Sequence, residues 1–257
     1  MHVRSLLLQA LPKVALSRTT GLLTAIPLPR AWRRMAYSWF AHRYGADLDE
    51  LAAPLDSFRS FAEFFARPLR QGARPIDPSD LVWPCDGRIV TAGPIEDGRI
   101  PQVKGQDYAV AELLADTAIA TAFERGSQAT IYLAPGDYHR VHAPFGGTLR
   151  SIRSIPGTLF PVNPPTVKAV GKLFVRNARK VFTFELATGE LAIVVMVGAL
   201  NVGRITASRA VGDTVALGDE IGRFGFGSTV VVLVGPGGPP IPTIAPETVV
   251  RTGRAIG

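Results

Sequence analysis

Asp86, His139, His142 and Ser228 are the residues whose types can combine into acid–base and nucleophilic chemistry. A carboxylate orients an imidazole, the imidazole takes a proton, and a hydroxyl so relieved attacks. Sequence order alone does not bring the four together, and each has a plainer structural use. Asp86 stands in Trp83-Pro84-Cys85-Asp86-Gly87, and an Asp-Gly pair commonly forms a turn in which the aspartate bonds its own backbone. His139 and His142 belong to Asp137-Tyr138-His139-Arg140-Val141-His142-Ala143-Pro144. Two imidazoles three residues apart can share a metal on a helix face. Pro144 and Gly146-Gly147 oppose a long helix, however, and the carboxylate pattern of zinc hydrolases is missing, so no metal is expected. Ser228 stands in a near-match to a phosphate loop, Gly222 to Thr229, at the place where the phosphate-holding lysine belongs. The residues after it, Val-Val-Val-Leu-Val, form a strand where a phosphate loop needs a helix. That excludes the phosphate loop and leaves Gly227-Ser228 as a turn entering a buried strand.

Mostly strands must position these groups. Runs at Arg88–Val90, Ala129–Leu133, Val181–Leu186, Leu191–Val197 and Thr229–Val234 are β-branched and aliphatic, with Gly and Pro between them. Helices are expected at 30–44, at Ser60 to about Leu69 and at Ala109–Ala115. Ser60 with Glu63 three residues on fits a capping box, and Pro68 closes that helix. The pattern predicts an α+β fold with a mainly antiparallel β sandwich or half-barrel core. Gly235–Pro240 reads as a flexible connector before a short tail.

The 257 residues carry 28 Lys plus Arg against 21 Asp plus Glu. Seven of the basic residues, and no acid, lie in residues 1–46, so the remainder is neutral. The division expected is a basic, amphipathic, membrane-associating segment, 1–46, and a catalytic domain, 47–257. Lys13, Arg18, Arg30, Pro12, Pro27 and Pro29 interrupt every stretch long enough to span a bilayer. In the 30–44 helix Trp32, Met35, Ala36, Trp39 and Phe40 share one face, with Arg30, Arg33, Arg34 and Tyr37 elsewhere. Such a helix can lie in a lipid interface or pack on its own domain. A 47% hydrophobic composition excludes disorder, and a single cysteine, Cys85, excludes an internal disulfide framework. The sparse basic residues and missing motifs give no nucleic-acid partner.

Several strings together resemble the phosphatidylserine decarboxylase proenzymes of the short bacterial type. They are Phe61 to Arg70 with Arg74-Pro75-Ile76-Asp77, Pro84-Cys85-Asp86-Gly87, Val103-Lys104-Gly105 and the Tyr132–Pro144 stretch. Pro156-Gly157-Thr158-Leu159-Phe160, Val197-Gly198-Ala199 and Phe226-Gly227-Ser228-Thr229 complete the set. Phe226 replaces the leucine frequent in the family, and Ala178 a frequent glutamate.

The resemblance implies self-processing between Gly227 and Ser228. Ser228 attacks the Gly227 carbonyl with His142 as base and Asp86 orienting it, and elimination and hydrolysis then leave a pyruvoyl cofactor derived from Ser228. The chain becomes a β subunit, 1–227, and an α subunit, 228–257, paired as a heterodimer that can dimerise further. It further implies decarboxylation of phosphatidylserine to phosphatidylethanolamine and CO2 through a Schiff base, with His139 transferring a proton or positioning substrate. The expected location is peripheral, on the cytoplasmic side of a bacterial inner membrane, where phosphatidylserine in anionic membranes is the partner. The mitochondrial inner membrane is the alternative if the basic leader is a transit peptide. Two competitors keep the chain uncut: a membrane-bound Ser-His-Asp hydrolase, and a lipid-binding β domain in which Gly227-Ser228 is only a turn.

Overall fold

Long runs of β-branched and aliphatic residues build the centre of the molecule. The computed structural model describes residues 20–102, 107–199, 205–225 and 228–257. Residues 1–19 of the basic segment, Val103-Lys104-Gly105 and Phe226-Gly227 lie outside the described residues. In chain order the strands are β1 (Gly87–Pro94), β2 (Arg99–Ile100), β3 (Tyr108–Ala109), β4 (Ser127–Leu133), β5 (Arg140–His142), β6 (Gly147–Ile155) and β7 (Arg179–Glu185). They continue with β8 (Leu191–Gly198), β9 (Ile205–Ala207), β10 (Thr214–Val215), β11 (Glu220–Phe224), β12 (Ser228–Val234) and β13 (Val249–Val250). Eight of them form one curled antiparallel sheet in the order β10-β6-β7-β8-β12-β4-β1-β13. A second sheet has the order β5-β11-β9, and β2 pairs with β3 alone. The fold is thus α+β with an antiparallel half-barrel core, as the pattern predicts.

Strand β12 lies between β8 and β4, and all seven of its residues are buried. A strand buried on both faces needs a continuous apolar run, which Val-Val-Val-Leu-Val supplies. The five strands expected all form. The sequence pattern omits β6, whose Gly147-Thr-Leu-Arg-Ser-Ile-Arg-Ser-Ile is largely half-exposed and carries too few apolar residues for a clear alternation.

Helix α1 (Arg30–Tyr44) starts after Pro29 and ends at Gly45, whose φ of 74° allows a left-handed cap that most residues resist. Helix α2 (Phe61–Phe65) has Ser60 Oγ accepting the Glu63 N–H, while Glu63 reaches back to the Arg59 N–H. It stops short of the expected Leu69 because Pro68 follows so closely. Helix α3 spans Val110–Leu114.

The two amphipathic stripes of α1 divide the work. Tyr37, which the helical wheel sets apart from the apolar face, is fully buried; it stacks on Phe64 at 4.6 Å and donates its hydroxyl to the Phe58 carbonyl. Phe40 meets Phe61 edge-on at 4.8 Å. Trp32, Met35 and Trp39 remain 61%, 68% and 65% exposed, and Leu22, Leu23 and Ile26 are exposed as well. Among the described residues, no helix is long and apolar enough to cross a membrane.

Candidate active site

The serine is placed by the sheet. Ser228 is the first residue of β12, opposite Leu133 on β4 and Gly198 on β8, and is fully buried. A buried hydroxyl needs a partner. It finds His139, whose Nδ1 lies 3.3 Å from Ser228 Oγ.

The turn before β5 aims that imidazole. Asp137 accepts the Ala134 N–H, closing the turn, and the buried Arg67 donates to the carbonyls of Gly136 and Asp137. A side chain on Gly136 would collide with the Tyr44 carbonyl, so the C-terminal end of α1 rests directly on this turn. Phe65 of α2 stacks on the His139 ring at 4.0 Å. His139 Nε2 lies 3.0 Å from the Ala134 carbonyl. A carbonyl only accepts, so Nε2 carries the proton and the Nδ1 lone pair faces Ser228, which donates to it. Burial pushes the His139 pKa down to about 3, so the ring is neutral at physiological pH.

His142 is fixed differently. Its Nδ1–H donates to the Gly218 carbonyl at 2.8 Å, and its basic Nε2 accepts from the Tyr138 hydroxyl at 3.1 Å. Burial lowers this pKa also. Asp86 contacts neither imidazole. Its carboxylate takes Nε and Nη2 of Arg74, the latter at 2.6 Å, together with the N–H and Oγ–H of Thr252, both at 2.9 Å. Arg74 also forks onto both oxygens of Glu50 at 2.8 Å. The structure therefore joins His139 to Ser228, and holds Asp86 and His142 in two neighbouring networks in place of the expected Asp86–His142–Ser228 chain. Gly227, the other half of the expected scissile bond, lies outside the described residues. Cys85, beside Asp86, is fully buried with its thiol pKa pushed well up by burial, so it is no nucleophile.

Thr252 and Arg74 escaped sequence reasoning as partners of Asp86. A buried aspartate demands donors, but nothing local names a threonine 166 residues away. The tail reaches it by pairing β13 with β1, and Gly253 and Ile256 donate onward to the carbonyls of Trp83 and Leu81. The short tail is thus a second tie between the C-terminal residues and the body of the protein.

A neutral histidine facing a buried serine at the head of a central antiparallel strand is an arrangement that can pass a proton between hydroxyl and imidazole. A family profile described as phosphatidylserine decarboxylase matches residues 61–257. The phosphatidylserine decarboxylase proenzyme of Anaeromyxobacter sp. (strain K) is 44% identical, across 97% of this chain and 96% of that protein. Those of Myxococcus xanthus and Xanthomonas axonopodis pv. citri are 40% and 41% identical, across 98% and 94% of this chain and 96% and 99% of their own lengths. The chain belongs to the phosphatidylserine decarboxylase family, a family of enzymes.

Proposed function

We propose that this chain is a self-processing decarboxylase that converts phosphatidylserine to phosphatidylethanolamine and CO2. It cuts itself between Gly227 and Ser228, leaving a pyruvoyl group at position 228 and two subunits, 1–227 and 228–257, held as a heterodimer. The observation that supports this best is the buried Ser228 hydroxyl donating to a neutral imidazole, in a chain whose relatives are named proenzymes.

The residues present fit a pyruvoyl group. β12 is paired on both sides along its whole length, so the residue heading it stays beside His139 after the bond before it is cut. Gly198 opposite offers no side chain to crowd it. Held there beside His139 and opposite Gly198, a pyruvoyl group would supply the electron sink that decarboxylation needs.

Two imidazoles serve two proton transfers. His139 Nδ1 faces residue 228 with its lone pair unprotonated, so it is the group placed to take and return the proton of turnover. His142 we assign to self-cleavage with Asp86, as the family resemblance implies. Its Nε2 lone pair is set by the Gly218 carbonyl and is held in waiting by Tyr138.

The membrane attachment proposed is peripheral. Trp32, Met35 and Trp39 present an apolar surface that water does not favour and a lipid interface does. Arg30 and Arg33 are partly occupied, by the Asp56 carboxylate and by the Leu28 and Asp56 carbonyls. The experiment is release of CO2 from carboxyl-labelled phosphatidylserine in mixed micelles, with and without phenylhydrazine. Release that the carbonyl reagent abolishes is expected; release indifferent to the reagent contradicts the proposal.

A further inference from the structure

A cavity of about 410 Å³ opens between α2 and the β5-β11-β9 sheet, one strand-end away from the active site. Its sheet wall carries three residues in register, Arg140, Arg223 and Thr206, on adjacent strands. Residues directly opposite on antiparallel strands lie on the same face, so two guanidinium groups stand side by side beside a hydroxyl.

Like charges so placed repel unless something answers them. Arg140 is answered: it donates to Glu220 at 2.7 Å and to the Ala66 carbonyl at 3.0 Å. The Arg223 guanidinium has no hydrogen bond or ion pair among the described residues, and neither has the Thr206 hydroxyl. The remaining acid on the wall, Glu63, is occupied with the Arg59 N–H. The rest of the lining includes Phe58, Ala62 and Phe224. A cationic row along an apolar-walled cleft matches an anionic group that carries an apolar body.

Position narrows the occupant. The Phe224 N–H donates to the His139 carbonyl, which ties the arginine row to the histidine that faces Ser228. At the other end Pro27 bridges to Ser60 and the Leu28 N–H donates to the Arg59 carbonyl. These ties hold the segment that carries the exposed Leu22, Leu23 and Ile26 against the chain between the cavity-lining Phe58 and Ala62.

We infer that Arg223, with Arg140 and Thr206, forms the subsite that holds the phosphodiester of the substrate lipid; this rests on the decarboxylase activity proposed above. The test is steady-state decarboxylation by self-processed protein, comparing wild type with Arg223→Gln and Arg223→Lys. The Gln variant is expected to raise KM for phosphatidylserine about tenfold or more with kcat within about threefold, and Lys to restore most of the loss. Glycerophosphoserine is expected to inhibit wild type and to inhibit the Gln variant about tenfold less well. An unchanged KM overturns the inference, as does inhibition by inorganic phosphate equal to that by glycerophosphoserine, which assigns the row to free phosphate. Should Arg223→Gln block self-cleavage, Thr206→Val carries the comparison: a KM raised about threefold or more supports the subsite, and an unchanged one overturns it. Wild-type protein that releases no CO2 defeats the proposed activity instead, so the two failures are distinct.

Discussion

Replacing Trp32 and Trp39 by serine should release the protein from vesicles while leaving its fold intact. Both rings are exposed, by 61% and 65%, and neither belongs to the Tyr37–Phe64 cluster that seats α1. A tryptophan buries on the order of 200 Å² when fully covered. About 120 Å² of each ring is therefore free to leave water, worth about 3 kcal/mol if wholly immersed. A helix lying in the interface immerses roughly half of this, so the pair contributes about 3 kcal/mol, or more than a hundredfold in the partition coefficient. Flotation with vesicles containing phosphatidylserine measures that ratio directly. Thermal unfolding should hardly move, because surface substitutions away from packed features cost about 0.5 kcal/mol or less. A partition coefficient changed by less than about threefold would refute the assignment of this surface to lipid.

Other consequences follow from the site. His139→Ala should still cut itself but lose about 10²-fold to 10⁴-fold in kcat, whereas His142→Ala should stay uncut on a denaturing gel; an uncut His139→Ala moves the cleavage base to the imidazole that touches Ser228. Thr252→Val deletes a hydroxyl donated to the Asp86 carboxylate and should cost about 2 kcal/mol, with Thr252→Ser recovering most of it, read as the urea midpoint of the proenzyme. His139 has a folded pKa of about 3, below its unfolded value, so the unfolded state binds the extra proton as pH falls. Stability should thus be full above about pH 6.5 and decline below it by up to about 1.4 kcal/mol per pH unit, and a flat urea midpoint between pH 7 and 5 would contradict the burial of a neutral ring.

Local chemistry made much of the molecule legible. The run after Ser228 can only be a strand buried on both faces, and β12 is that strand. Ser60 and Glu63 announce the start of α2, and Gly45 and Pro68 stop their helices where backbone geometry requires. Long-range pairing was not legible. Whether His139 or His142 meets Ser228 depends on a turn braced by Arg67 and by the end of α1, and no spacing within Asp137–Pro144 encodes that. The two stripes of α1 are equally hidden, because Tyr37-Phe40 and Trp32-Met35-Trp39 both obey helical spacing and only α2 decides which is covered. Asp86 shows the same limit: its residue type demands donors, and the tail that supplies Thr252 arrives through β13.

Intact mass spectrometry of catalytically active protein bears most directly on the claim that the enzyme makes its own carbonyl from Ser228. Two fragments are predicted, the smaller spanning 228–257 at about 3 kDa and lighter at its first residue than serine allows, with a mass that rises on reaction with a hydrazine. One full-length mass with unmodified Ser228, from protein that still releases CO2, would contradict it.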